Sequence, residues 1–212
     1  MRVIEKTLYK YEELSDEAKG KARDWYRSRQ DCHDLDCVIE DAATIADILG
    51  IDLRTRPVKL MNGSTRYDPC IWYSVSDSQG DGASFEGTYR YKKGAVKAIK
   101  DYCNDVELIR IAEGLQDVQR RYFYRLTASM GQGTGSNFYS HSGTMSVSVD
   151  YAEDSSRSIL EAEEEVTQLM RGFADWIYGR LREEVDYQSS DEYVEEAIIC
   201  NEYEFDEEGR IV

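Results

Sequence analysis

One long apolar seam constrains this chain more than any other feature. Between Ser156 and Val185, the residues Ile159, Val166, Leu169, Met170, Phe173, Trp176, Ile177, Leu181 and Val185 recur at helical spacing. At 1.5 Å per residue such a helix spans roughly 45 Å. A stripe of that kind is stable only when another layer covers it. The rest of the sequence supplies that layer as strands.

Residues 2–11 mix β-branched and aromatic side chains and read as a strand. Ser15 then opens a helix, with acids in its first turn and arginines later. A second helix fits Val38 to Leu49, ended by Gly50. The period then changes to two. Ile51–Leu60, Cys70–Ser76 and Ala83–Tyr91 read as three strands, with turns at Asn62-Gly63 and Ser78–Gly82, which is an antiparallel meander. Ala95–Tyr102 and Val106–Tyr122 are helical. Arg125–Met130 and Thr144–Tyr151 form a hairpin across a glycine-rich connection. Asp191 caps a last short helix through Ile199, and Phe205–Ile211 turns into a terminal strand. The expected fold is α+β: an antiparallel sheet, meander plus hairpin, covered by helices, with a long acidic C-terminal amphipathic helix. It is read as a single domain over 1–212, with 150–212 as its strongly acidic helical part. Trp25, Trp72, Trp176, Phe173 and Ile177 sit on apolar phases and are expected in the core.

Only 2 prolines occur, and no Ser/Pro-rich linker divides the chain. The 5 cysteines are odd in number and irregularly spaced, which fits free, mostly buried thiols in a reducing cytosol. The N-terminus meets charge too early for a secretory segment, and no apolar run is long enough to span a bilayer. The expectation is a soluble protein of the host-cell cytoplasm.

The sequence offers little chemistry. Gly131–Ser136 lacks the Gly-Lys-Ser/Thr ending of a phosphate loop. The segment Cys32-His33-Asp34-Leu35-Asp36-Cys37 has metal-type side chains but no second pair of ligands. The chain has 2 histidines, and His141-Ser142 lacks the second His-x-Ser/Thr of a phosphoesterase. Paired carboxylates are so abundant that none stands out as a catalytic acid. No catalytic residue, metal or cofactor is therefore assigned.

Charge is the informative remainder. From Asp150 onward there are 20 Asp or Glu against 5 Lys or Arg, while residues 1–149 hold 22 against 21. The net charge of −16 is thus a local property, and a one-sided block creates a field that selects partners by sign. Glu161, Glu164, Glu165, Asp175, Glu183, Glu184, Tyr187, Asp191, Glu192, Glu195 and Glu196 are the expected partner-binding residues. Asn137, Phe138 and Tyr139, beside the glycine-rich run, are expected loop contacts. The expected partner is a basic host protein or complex, with no direct contact to nucleic acid and none to membrane, and with the chain as monomer or dimer. Because duplex DNA carries about one negative charge per 1.7 Å, a helix lined with acids can imitate part of that row.

The opening Leu8-Tyr9-Lys10-Tyr11-Glu12-Glu13-Leu14-Ser15-Asp16-Glu17-Ala18-Lys19, continued by Ala22-Arg23-Asp24-Trp25-Tyr26-Arg27, resembles a family of uncharacterised phage and prophage proteins. The ending Asn201-Glu202-Tyr203-Glu204-Phe205-Asp206-Glu207-Glu208-Gly209-Arg210-Ile211 is similar to the end of the same family. The family is sometimes labelled antitoxin-like, and the resemblance implies a phage origin and a protein-binding role. The expectation is a non-enzymatic inhibitor of a host nucleic-acid-handling defence complex, of CRISPR-effector or restriction type, acting through a DNA-mimicking surface. The alternatives are an antitoxin-like protein that masks a toxin, and a small hydrolase built on His141 and nearby acids.

Overall fold

The computed structural model describes residues 6–30, 33–132, 139–151 and 159–212. In chain order the elements begin with β1 (Tyr9–Lys10), a 3-10 turn (Tyr11–Glu13), α1 (Asp16–Arg29) and α2 (Asp36–Leu49). Six strands follow: β2 (Ile51–Leu53), β3 (Thr55–Lys59), β4 (Thr65–Pro69), β5 (Ile71–Ser74), β6 (Gly82–Phe85) and β7 (Gly87–Arg90). Next come α3 (Ala95–Tyr102), α4 (Val106–Arg121), β8 (Leu126–Gln132), a 3-10 turn (Ser142–Thr144) and β9 (Met145–Tyr151). The chain ends with α5 (Leu160–Gln188), α6 (Asp191–Cys200) and β10 (Glu204–Phe205). The fold is α+β, and every strand pair is antiparallel, as the sequence predicts. The chain divides into two compact units: Met1–Leu35 with Glu183–Val212, and Asp36–Arg182.

The larger unit holds a four-stranded sheet in the order β2-β7-β8-β9 and two separate ribbons, β3-β4 and β5-β6. The expected meander is present as the consecutive antiparallel pairs β3-β4 and β5-β6, and it is branched, because its first and third strands also pair as β2-β7. Three long strands exchange partners at Arg54, Cys70 and Glu86. There Arg54 N–H donates to the Glu86 carbonyl (2.9 Å), Glu86 N–H to that of Cys70 (3.0 Å), and Cys70 N–H to that of Arg54 (2.7 Å). The triangle satisfies all three backbone pairs at the point where each strand leaves one neighbour for the next. The Cys70 thiol is buried there, and burial raises its pKa. Cys37, Cys103 and Cys200 are exposed, contrary to the expectation of mostly buried thiols. Cys32 lies outside the described residues.

Most of the expected α5 seam is buried, while Ile159, Trp176 and Val185 are half-buried. Ala162, Val166, Met170, Phe173, Ala174, Ile177 and Leu181 are all at most 1% exposed. Phe173 meets Phe85 of β6 edge to face at 5.5 Å. Gly114 of α4 allows close approach, because a Cβ there would lie 2.8 Å from a Leu169 methyl carbon. Gly50, after α2, has φ +86° and lies so near β7 that a Cβ would sit 2.2 Å from the Arg90 carbonyl oxygen. Buried Gln119 holds the turn after α4: its Nε2 donates to the Leu126 carbonyl (2.9 Å), and its Oε1 accepts from Leu126 N–H (3.2 Å). That clamp borders Phe123 and Tyr124, both with positive φ. Burial pushes the pKa of Tyr89 up to about 12.

The smaller unit has its own core of Tyr11, Leu14, Ala18, Ala22, Val194, Ile198 and Phe205. Ser15 caps α1 by accepting from Ala18 N–H (3.3 Å), and Ser190 caps α6 by accepting from Tyr193 N–H (3.2 Å). Buried Gln188 receives Asp34 N–H at 3.1 Å and donates to the Asp34 carbonyl at 2.7 Å. The three tryptophans depart from expectation: Trp25, Trp72 and Trp176 are half-buried, while Phe173 and Ile177 are fully buried. Two indoles keep a polar edge outward, because Trp72 Nε1 donates to Glu86 (3.2 Å) and Trp176 Nε1 to Asp105 (3.2 Å).

Candidate functional site

The acids of α6 fall on two faces that differ in how they are satisfied. Asp191 and Glu195, four residues apart, face α1, where Arg23 and Arg27 are also four apart. Arg23 Nη1 donates to Glu195 Oε1 (2.7 Å) and to the Tyr11 hydroxyl (2.9 Å), and that hydroxyl donates to the same carboxylate (2.9 Å). Arg23 Nε lies 3.4 Å from Asp191 Oδ1, and Arg27 forms a further ion pair with it. Arg27 Nε also donates to the Ser189 carbonyl (3.0 Å). The Arg27 hydrogen bond holds the Asp191 pKa below the usual carboxylate range. Burial raises the pKa of Tyr11. These groups bind α1 to α6 inside the smaller unit. Two of the predicted partner-binding acids, Asp191 and Glu195, are therefore already occupied.

Glu192 and Glu196 lie about a quarter-turn further round α6, on its outer face, and are exposed. Neither makes an ion pair or hydrogen bond among the described residues. Ile199, one turn further along the same face, is exposed as well. The tail extends the negative surface through the exposed side chains of Glu202, Glu204 and Glu207. Tyr187 is half-exposed and stands edge-on to Tyr193 at 5.4 Å. Glu184 accepts from Gln188 Nε2 (2.8 Å), and Glu183 is exposed.

The remaining predicted residues belong to the larger unit. Glu161 and Glu164 are exposed on α5, whereas Glu165 is ion-paired with Arg121 of α4. Asp175 lines an open bowl of about 640 Å³ together with Glu107, Arg110, Arg171 and Trp176. Within it, Arg110 Nε donates to Glu107 Oε2 (3.0 Å), which lowers the Glu107 pKa. Tyr139 packs over Gly80 in the β5–β6 turn, where a Cβ would lie 1.8 Å from its ring. Asn137 and Phe138 lie outside the described residues.

The histidines are engaged locally. His33 Nδ1 is 3.2 Å from Gln30 Nε2, and His141 Nδ1 accepts from Gly143 N–H at 3.0 Å. Arg23, Arg27 and Tyr11 are not among the residues expected from the sequence. The signal was available: two arginines at i, i+4 on one helix and two acids at i, i+4 on another form complementary stripes.

The chain belongs to the family described as Domain of unknown function (DUF8835), whose model matches residues 35–191. The match takes in the whole larger unit and ends at the first residue of α6. No curated protein and no solved structure matches the chain. Among the described residues no helix is long and apolar enough to cross a membrane.

Proposed function

We propose that this member of the family is a non-catalytic binding protein that docks on a basic protein surface through the acidic outer face of its smaller unit. One observation carries the reading: α6 spends Asp191 and Glu195 on Arg23 and Arg27, yet leaves Glu192 and Glu196 exposed and without partners. Carboxylates needed for folding are neutralised by nearby cations. Those left over repel one another and gain by meeting cations from outside. The basic surface that suits them is one built for phosphate, as in a nucleic-acid-handling host defence complex. A phage origin, implied by the resemblance at both ends of the chain, fits that role.

The test is capture from host lysate on immobilised chain, at about 0.1 M and about 1 M salt, where the Debye length falls from about 10 Å to about 3 Å. The expected partner is retained at low salt, released at high salt, and displaced by duplex DNA. The paired change Glu192→Gln and Glu196→Gln removes two charges while keeping size and helix propensity, and is expected to abolish retention. Retention that survives both high salt and the paired change would overturn the reading.

A further inference from the structure

The β3–β4 ribbon is the opposite of α6 in charge. Residues 53–67 contain Arg54, Arg56, Lys59 and Arg66 and no acid, in a chain of net charge −16. From Arg54 to Tyr67 every residue but Val58 is exposed, so both ribbon faces are largely open. The turn carries Leu60 and a fully exposed Met61. A two-stranded ribbon with no covering layer is marginal in water, and an apolar tip adds to its cost there.

The ribbon is nevertheless protected from edge pairing. Both prolines of the chain lie on it. The register pairs Thr55 with Pro69 and Pro57 with Tyr67. Proline cannot donate across the ladder, so both nitrogens point to the outer edges and remove donors there. Each edge thereby loses one donor, which favours recognition through side chains over strand addition. Arg54 is held by Glu86 (3.0 Å), and Arg66 by Asp68 (2.6 Å) and Asp36 (3.3 Å). Arg56, stacked 4.6 Å over Trp72, and Lys59 have no carboxylate partner among the described residues. Two uncommitted cations beside an apolar tip are few for a phosphate backbone, and the chain's net charge opposes that backbone. They do match a helix face with two unpartnered glutamates followed by an exposed isoleucine.

We propose that the β3–β4 arm of one molecule docks on the outer face of α6 of a second copy, its cations meeting Glu192 and Glu196 and its tip covering Ile199. The inference uses the acidic face assigned above to the basic partner, so self-association and partner binding exclude one another. The free protein then hides its own acids until a more basic surface displaces the arm.

Sedimentation of the purified full chain tests this without any partner. At about 0.1 M salt the mass is expected to rise with concentration above the 24.4 kDa monomer, and to return to it at about 1 M. Arg56→Glu with Lys59→Glu, and separately Glu192→Lys with Glu196→Lys, should each give monomers with unchanged helical circular dichroism. Mixing the two variants should restore association, which two misfolded proteins could not do. A wild type that stays monomeric at low salt overturns the inference, as does association that persists in both variants. It is also overturned if the arm substitutions abolish binding of a DNA duplex but leave the wild-type mass unchanged. Failure here leaves the basic-partner reading standing, because that reading is decided by lysate capture. Loss of capture with self-association intact would remove the basic partner alone.

Discussion

The smaller unit carries 20 acidic side chains against 9 basic ones, and the larger 22 against 17, although the larger is more than twice as long. The units also use their charges differently. In the larger one more of the acids are matched on the spot, among them Asp47 with Lys92, Glu86 with Arg54, Glu113 with Lys100, Asp117 with Arg120 and Glu165 with Arg121. Exposed pairs of this kind contribute little to stability, on the order of 0–1 kcal/mol each, but they cancel the field. In the smaller unit, Arg23 and Arg27 satisfy the acids that face α1, and the surplus is left outside. A surface is thus defined by which charges remain after internal pairing, and net charge alone does not reveal that.

The largest expected effect tests whether the units stand on separate cores. Phe173→Ala empties a fully buried site against Phe85 and should cost about 3–5 kcal/mol. In denaturant melts that loss should fall on the transition of the larger unit. The near-ultraviolet signal of Trp25, in the smaller unit, should melt as in the wild type. Coincident loss of both signals would show one cooperative body and break the comparison.

Next come the two buried glutamines, one in each unit. Gln119→Ala strands the Leu126 N–H and carbonyl, and Gln188→Ala strands those of Asp34. Each should lower stability by about 1–3 kcal/mol, the cost of burying an unsatisfied polar group. Melts in which either change is neutral would show that water replaces the clamp.

A smaller effect concerns pH. The pKa of Asp191 is lowered in the folded protein, so its contribution is present above the unfolded value of about 3.9 and is lost as pH falls through the folded value. Asp191→Asn should therefore lower the melting temperature at neutral pH and flatten the acid limb below about pH 4. An unchanged acid limb would mean that the Arg27 contact does not persist in solution.

The smallest expected effect on stability is that of Glu192→Gln with Glu196→Gln, since neither side chain holds the fold together. Melting should be unchanged or slightly raised, as the two carboxylates only repel each other. A clear loss of stability would place these acids with Asp191 and Glu195 as structural groups.

Much of the fold was legible because burial and local chemistry agreed. The seam from Val166 to Leu181, the caps at Ser15 and the stop at Gly50 all follow from period, hydrogen-bonding side chains and positive φ. The strand Thr65–Pro69 was not legible, because a ribbon exposed on both faces has no apolar alternation to read. The exchange of partners at Arg54, Cys70 and Glu86 leaves no sequence mark either, being made wholly of backbone groups. Of the candidate site, charge segregation could be read from residue types alone. Which acids are consumed depends on two helices, far apart in sequence, lying side by side. From residue types alone, Asp191 and Glu195 are therefore indistinguishable from Glu192 and Glu196.

The triangle of backbone bonds also bears on how such a chain can change over evolutionary time. Register in the four-stranded sheet is fixed on one side of that triangle, and the β3–β4 arm lies wholly beyond it. Residues added in pairs to the two strands of the arm would lengthen it without moving any ladder behind the triangle. The entropic cost of a longer loop grows only slowly with its length. The arm is thus free to be lengthened, shortened or recharged by insertion and deletion while the scaffold keeps its shape. Variation among relatives is expected to concentrate there, so that one inherited frame can carry a changing attachment.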